Sequence, residues 1–154
     1  MLRQIDRRAP RAAPFASLCV NGRVGVEGLD HVQVAAPPGC EREARRFYGG
    51  LLGLGELEKP DALQAGGGVW FAAGGQELHV GVAKDFAPAT KAHPGLLAGS
   101  DAELDALAGA LTGAGAAVEW DDRIPGRRRF FTSDPWGNRV ELLSPSPSPT
   151  PPSG

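Results

Sequence analysis

The feature that most constrains this chain is a repeated register. His31 and His93 stand 62 residues apart, His79 and Glu141 stand 62 apart, and so do Gly75 and Gly137 in the turns before the last strands. Every histidine of the chain falls into this frame, with a carboxylate at the fourth corner. The pattern around them repeats as well: strand, helix, strands, then strand, helix, strands. Such a duplication predicts two pseudo-equivalent modules. Each puts one potential ligand early in its first strand and another in its last strand.

The local signals support that order. Leu29–Ala36 is a short apolar-rich strand closed by Pro37-Pro38. Over Cys40–Leu54, Ala44, Phe47, Tyr48, Leu51 and Leu52 follow the spacing of one buried helical face, while Glu41, Arg42, Glu43, Arg45 and Arg46 stay outside. Gly53 suits a left-handed helix end. Gly68–Ala73 and Gln76–Ala83 read as strands around a Gly74-Gly75 turn. A second helix is predicted from Ala102 to about Thr112, with Leu104, Leu107 and Leu111 as its stripe. Ser100 and Glu103 form a capping box at its start. Ala117–Asp121, Arg128–Ser133 and Asn138–Leu143 complete the strands, the last two joined by the turn Asp134-Pro135-Trp136-Gly137.

The two ends differ from the middle. Residues 1–27 carry five arginines against Asp6 and Glu27, and Pro10 and Pro14 interrupt any period. They read as a flexible Arg-rich extension. Residues 145–154 continue a Pro/Ser tail with nothing from which to build a core. A single domain is expected over 28–144, with modules of about 28–86 and 91–144. The formal net charge of −2 gives no broad cationic field, which argues against nucleic acid. No apolar run approaches the roughly 20 residues of a membrane helix. Two cysteines, Cys19 and Cys40, make no disulfide framework. The expectation is a soluble, cytoplasmic protein.

Imidazole nitrogen and carboxylate oxygen are good ligands for divalent first-row metals. A catalytic ion needs three or four converging protein groups and one position open for water or substrate. Strand parity allows this, since His31, Gln33 and Ala35 share one face, as do Glu77, His79 and Gly81, and Arg139, Glu141 and Leu143. A single histidine would be read as a satisfied polar residue; three in a duplicated frame favour a metal. Pro94 bears on the aim of His93, because proline sits only at strand edges, starts or bulges. Without His93, the set of His31, His79 and Glu141 still suits Fe(II), Mn(II) or Zn(II). Arg127-Arg128-Arg129 offers a holder for a carboxylate, phosphate or thiol-conjugate tail, although outward positions on a solvated strand account for at least one of the three. Trp70 and Phe71, neighbours on a strand, should face opposite sides. Tyr48 belongs to the core.

DHVQVA, ARRFYGGLLGL, GGQELHVGV and DPWGNRVEL closely resemble the vicinal oxygen chelate superfamily, which includes glyoxalase I, bleomycin-resistance and fosfomycin-resistance proteins, methylmalonyl-CoA epimerases and extradiol dioxygenases. The resemblance covers about residues 28–144. It implies an α+β fold of two tandem βαβββ modules, whose strands form an open cup-shaped mixed sheet with helices outside. It also implies metal ligands at His31, His93 and Glu141. The last-strand position of the first module departs from glyoxalase I, which has a carboxylate there; this chain offers His79, with Glu77 two residues away on the same face as alternative ligand or base.

On this reading the chain is a metal-dependent enzyme of lyase or isomerase type. It would act on a small oxygen-chelating molecule, with Zn, Fe, Mn, Ni or Mg held by His31, His79, His93 and Glu141. Glu141 or Glu77 would move the proton. The alternative is a metal-free protein of the bleomycin-resistance type that sequesters a drug or metabolite. The resemblance also implies a homodimer with a small-molecule substrate, while charge balance and hydropathy leave neither nucleic acid nor membrane as an expected partner.

Overall fold

A computed structural model of the chain describes Val26 and residues 28–145. The Arg-rich extension apart from Val26, with Cys19 in it, and all but the first residue of the Pro/Ser tail lie outside the described residues. The first half runs β1 (His31–Ala36), α1 (Glu41–Leu51), β2 (Gly55–Leu57), α2 (Asp61–Gln64), β3 (Val69–Ala73) and β4 (Gln76–Val82). The second runs β5 (Gly95–Leu97), α3 (Asp101–Gly113), β6 (Glu119–Trp120), β7 (Arg129–Ser133) and β8 (Arg139–Leu143). Two four-stranded mixed sheets result, ordered β1-β4-β3-β2 and β5-β8-β7-β6. The first and last strands of each half are parallel neighbours, and the other pairs are antiparallel. The fold is α+β with no closed barrel among the described residues, and the duplication inferred from the histidines is a duplication of topology.

The register repeats too. In the first half Gln33 lies opposite His79, and in the second Gly95 lies opposite Glu141. Both partners are displaced by the same 62 residues. Across the antiparallel pair, Trp70 faces His79 and Phe131 faces Glu141, so the aromatic positions correspond after a shift of one residue.

The core lies on the helix side of both sheets. Val34, Ala36, Leu78, Val80, Val69 and Phe71 of the first sheet and Phe130, Val140 and Leu142 of the second join Phe47, Tyr48, Leu104, Ala108 and Leu111 from the helices in one buried cluster. Alternation then sends His31, Gln33, Glu77 and His79 to the opposite face. The Ser100 hydroxyl accepts the Glu103 amide at 3.2 Å, as a cap for α3 should.

Several elements differ from expectation. The helix predicted over Cys40–Leu54 has only one α-helical turn, Glu41–Ala44, and continues as π-helix from Arg45 to Leu51. Gly49 and Gly50 hold this stretch weakly to α geometry, and the Leu52 amide reaches back five residues to the Phe47 carbonyl at 3.0 Å. Strand β2, implied by the βαβββ pattern, has no local signal to locate it, since three residues containing a glycine carry no readable period, and the four-residue α2 is an addition. The strand expected over Ala117–Asp121 contracts to Glu119–Trp120.

The turn before β8 joins the two modules. Asp134 accepts hydrogen bonds from the Tyr48 hydroxyl, the Asn138 side chain and the Trp136 and Asn138 amides. Asn138 also donates to the Ala35 carbonyl of β1 at 2.8 Å and accepts from the Ala89 amide at 2.9 Å. Tyr48 and Asn138 are almost wholly buried, so these bonds are shielded from water and costly to break.

Candidate active site

Strand β1 delivers His31 and strand β4 delivers Glu77 and His79 to the face away from the helices. His79 is the middle of a three-layer stack. Trp70 lies flat on one side, centroids 3.9 Å apart and planes within 2°, and His31 lies on the other at 4.4 Å and 14°. Trp70 therefore faces the site while Phe71 is buried against Tyr48, as their parity requires.

The second sheet builds the matching half. Pro94 precedes β5, and its carbonyl accepts the Glu141 amide at 3.0 Å. Its missing N–H costs the sheet nothing at that position, and His93 still reaches Glu141, Nε2 to Oε2, at 3.2 Å. The His93 ring stands edge-on to Phe131, 5.4 Å between centroids. One cavity of about 600 Å³ is lined by both Glu77 and His93, so the two halves border a common space.

Hydrogen bonding orients each imidazole. His31 Nδ1 lies 2.9 Å from Asp30 Oδ2, His79 Nε2 lies 2.8 Å from Glu77 Oε2, and His93 Nδ1 lies 2.8 Å from the Lys91 carbonyl. A carbonyl or carboxylate oxygen only accepts, so each of these nitrogens donates. In a neutral ring the other nitrogen is then an acceptor, Nε2 of His31 and Nδ1 of His79, whereas Nε2 of His93 already meets Glu141 Oε2. This is how metal-ligating histidines are held by their surroundings.

Sequence reasoning did not anticipate the groups around Glu141. Arg129 Nη1 donates to Glu141 Oε1 at 2.6 Å, while its Nε and Nη2 reach Asp121 Oδ1 at 3.2 and 2.8 Å. All three side chains are nearly buried, with 10–12% of their surface exposed. The bond to Glu141 raises the Arg129 pKa further. Arg123 closes on Asp121 from outside and, with Arg129, holds that carboxyl well below the usual carboxylate range. Arg129 and Arg139 also lie over the Phe131 ring, at 5.3 and 3.7 Å from its centroid. Of the Arg127–Arg129 run, Arg129 enters the site and Arg128 turns outward to Asp105 and Trp120. The available signal was parity, because Arg129 shares the face of Phe131 on β7.

By type, these donors fit a divalent ion. His93 and Glu141 fit by spacing as well, since two ligands each about 2.1 Å from one ion stand roughly 3 Å apart. The full set is not gathered. Among the described residues no three His, Cys, Asp or Glu side chains converge on a point that could hold an ion. His31 and His79 are stacked nearly parallel rather than turned toward a common point, 4.4 Å between ring centroids. The structure thus presents the four sequence-predicted positions as two pairs, one per module.

Comparison with known proteins agrees with this architecture. Residues 28–142 match the profile of the Glyoxalase/Bleomycin resistance protein/Dioxygenase superfamily. The chain belongs to that superfamily. It is similar to a glyoxalase family protein from Bacillus anthracis, at 45% identity over 79% of this chain and 98% of that one, with a TM-score of 0.74. The fold is shared with lactoylglutathione lyase from Agrobacterium tumefaciens, at 23% identity over 79% and 96% of the two chains and a TM-score of 0.61. It is shared too with a fosfomycin resistance protein from Listeria monocytogenes, at 15% identity over 79% and 95% and a TM-score of 0.63. Among curated proteins none matches the chain. No helix of the described residues is long and apolar enough to cross a membrane.

Proposed function

We propose that this chain is a metal-dependent enzyme of lyase or isomerase type acting on a small oxygen-chelating molecule. His31, His79, His93 and Glu141 would hold the ion. One observation carries the reading: four donors occupy equivalent register positions in two modules, with His31 and His79 each oriented through one ring nitrogen and His93 set directly against Glu141. A bound divalent ion would supply Lewis-acid stabilisation of the negative charge that develops on a substrate oxygen. The chain's own groups do the rest. Glu77, exposed on one side and bonded to His79 on the other, would take a proton from a ligand in the cavity it lines with His93. Glu141 is the second base candidate.

A second reading, a metal-free binding protein of the bleomycin-resistance type, is favoured by the Arg129–Glu141 ion pair and the stacked His31 and His79. Elemental analysis separates the two. Protein purified without chelator should carry near-stoichiometric metal, lost in both His31→Ala and Glu141→Ala. Ligand binding by metal-free protein, unchanged in those variants, would establish the second reading instead. Assembly as a homodimer accompanies the first reading and is measured by light scattering.

A further inference from the structure

We propose that Arg129, tethered by Asp121, is an internal cation that competes with a divalent ion for Glu141. The proposal rests on the metal-binding reading above and concerns how tightly that site loads.

The geometry is specific. Arg129 spends two nitrogens on Asp121 and one on Glu141. Glu141 has one oxygen on that guanidinium and the other facing His93 Nε2. An ion seated between His93 and Glu141 would meet a fixed positive charge 2.6 Å from its own ligand carboxylate. In a nearly buried site that repulsion is poorly screened. The carboxylate would also have to share its charge between the two cations.

Asp121 sets the balance. Its two bonds hold the guanidinium from the β6 side, and Arg123 draws on the same carboxylate. With Asp121 present, the Nη1 contact to Glu141 can be released while Arg129 keeps a partner and avoids an unpaired buried charge. Without Asp121, Arg129 has Glu141 alone and holds it more firmly. Asp121 and Arg129 should therefore act on metal affinity with opposite sign. A shared structural role would not produce that pattern, because a loosened site weakens binding in both variants.

The test is titration of the chelator-stripped full chain with Mn(II) or Zn(II) alone, followed by calorimetry, for wild type, Arg129→Gln and Asp121→Asn. Circular dichroism establishes that each is folded. Arg129→Gln should bind the ion at least about tenfold more tightly, and Asp121→Asn several-fold more weakly. Wild-type binding that Arg129→Gln leaves unchanged or weakens overturns the proposal and leaves the metal reading standing. A tighter Asp121→Asn overturns the tether. Absence of binding in all three proteins overturns both the proposal and the metal reading.

Discussion

Tyr48, on the helix of the first module, donates its hydroxyl to Asp134 in the final turn of the second, 86 residues further along, at 3.0 Å. Burial, with the charge and hydrogen bond of Asp134, pushes the phenol far above its ordinary pKa. The folded state therefore keeps a proton that the unfolded chain releases near pH 10. Stability from this group is complete below that pH and declines as pH rises through it. Tyr48 is the sole tyrosine of the chain. Absorbance near 295 nm thus reports one residue, and tyrosinate should appear only together with unfolding. Tyr48→Phe should lose stability at neutral pH and show a weaker alkaline decline.

Asn138 offers a test of the join between modules. Its amide contacts the Ala35 carbonyl, the Asp134 carboxylate and the Ala89 amide. Asn138→Ala would leave buried partners unsatisfied and should cost about 2 kcal/mol. Urea unfolding should show a lower midpoint, and a transition split in two would mean that the modules had uncoupled.

Gly68 and Gly115 separate backbone strain from crowding. Both have φ in the left-handed region, +80° and +84°. A Cβ on Gly68 would stand 2.1 Å from the Val80 carbonyl oxygen, whereas one on Gly115 meets nothing within 4 Å. Gly115→Ala should cost about 1 kcal/mol. Gly68→Ala should cost clearly more, because the obstacle is backbone of β4, the strand that carries His79. A Gly68→Ala midpoint equal to that of Gly115→Ala would contradict this packing.

Asp121 predicts behaviour in acid. With its carboxyl held below the ordinary range by Arg123 and Arg129, the folded state binds fewer protons than the unfolded chain as pH approaches about 4. Its contribution is complete above that pH and is lost as pH falls further. Asp121→Asn should flatten the acid limb of a stability profile below about pH 4. Arg128→Ala, which removes an exposed pair with Asp105 and a surface contact over Trp120, should leave midpoints at neutral pH nearly unchanged.

Much of the fold was legible because it is written twice. His31, His79, His93 and Glu141 disclosed the spacing that the strand pairing obeys, and parity put Trp70 and Phe71 on opposite sides without saying which faces the helices. The π-turn was not legible, since Phe47, Tyr48 and Leu51 satisfy an α-helical stripe equally well. The surroundings of Glu141 were not legible either. Arg129 read as one of three consecutive arginines, and only the pairing of β7 with β8 shows which one meets the carboxylate. Tyr48 was correctly assigned to the core, but the partner of its hydroxyl depends on contact between halves. The donors were visible one by one; their grouping into pairs was a matter of tertiary structure.

The Asn138 amide touches neither His31 nor Glu141, yet it fastens the strand of the first to the turn that begins the strand of the second. It works as a jig. If a molecule bridges the two halves as proposed, it would meet a span already set away from the candidate site, so selection for a longer or shorter ligand would act on that amide and its neighbours as readily as on the residues of the site.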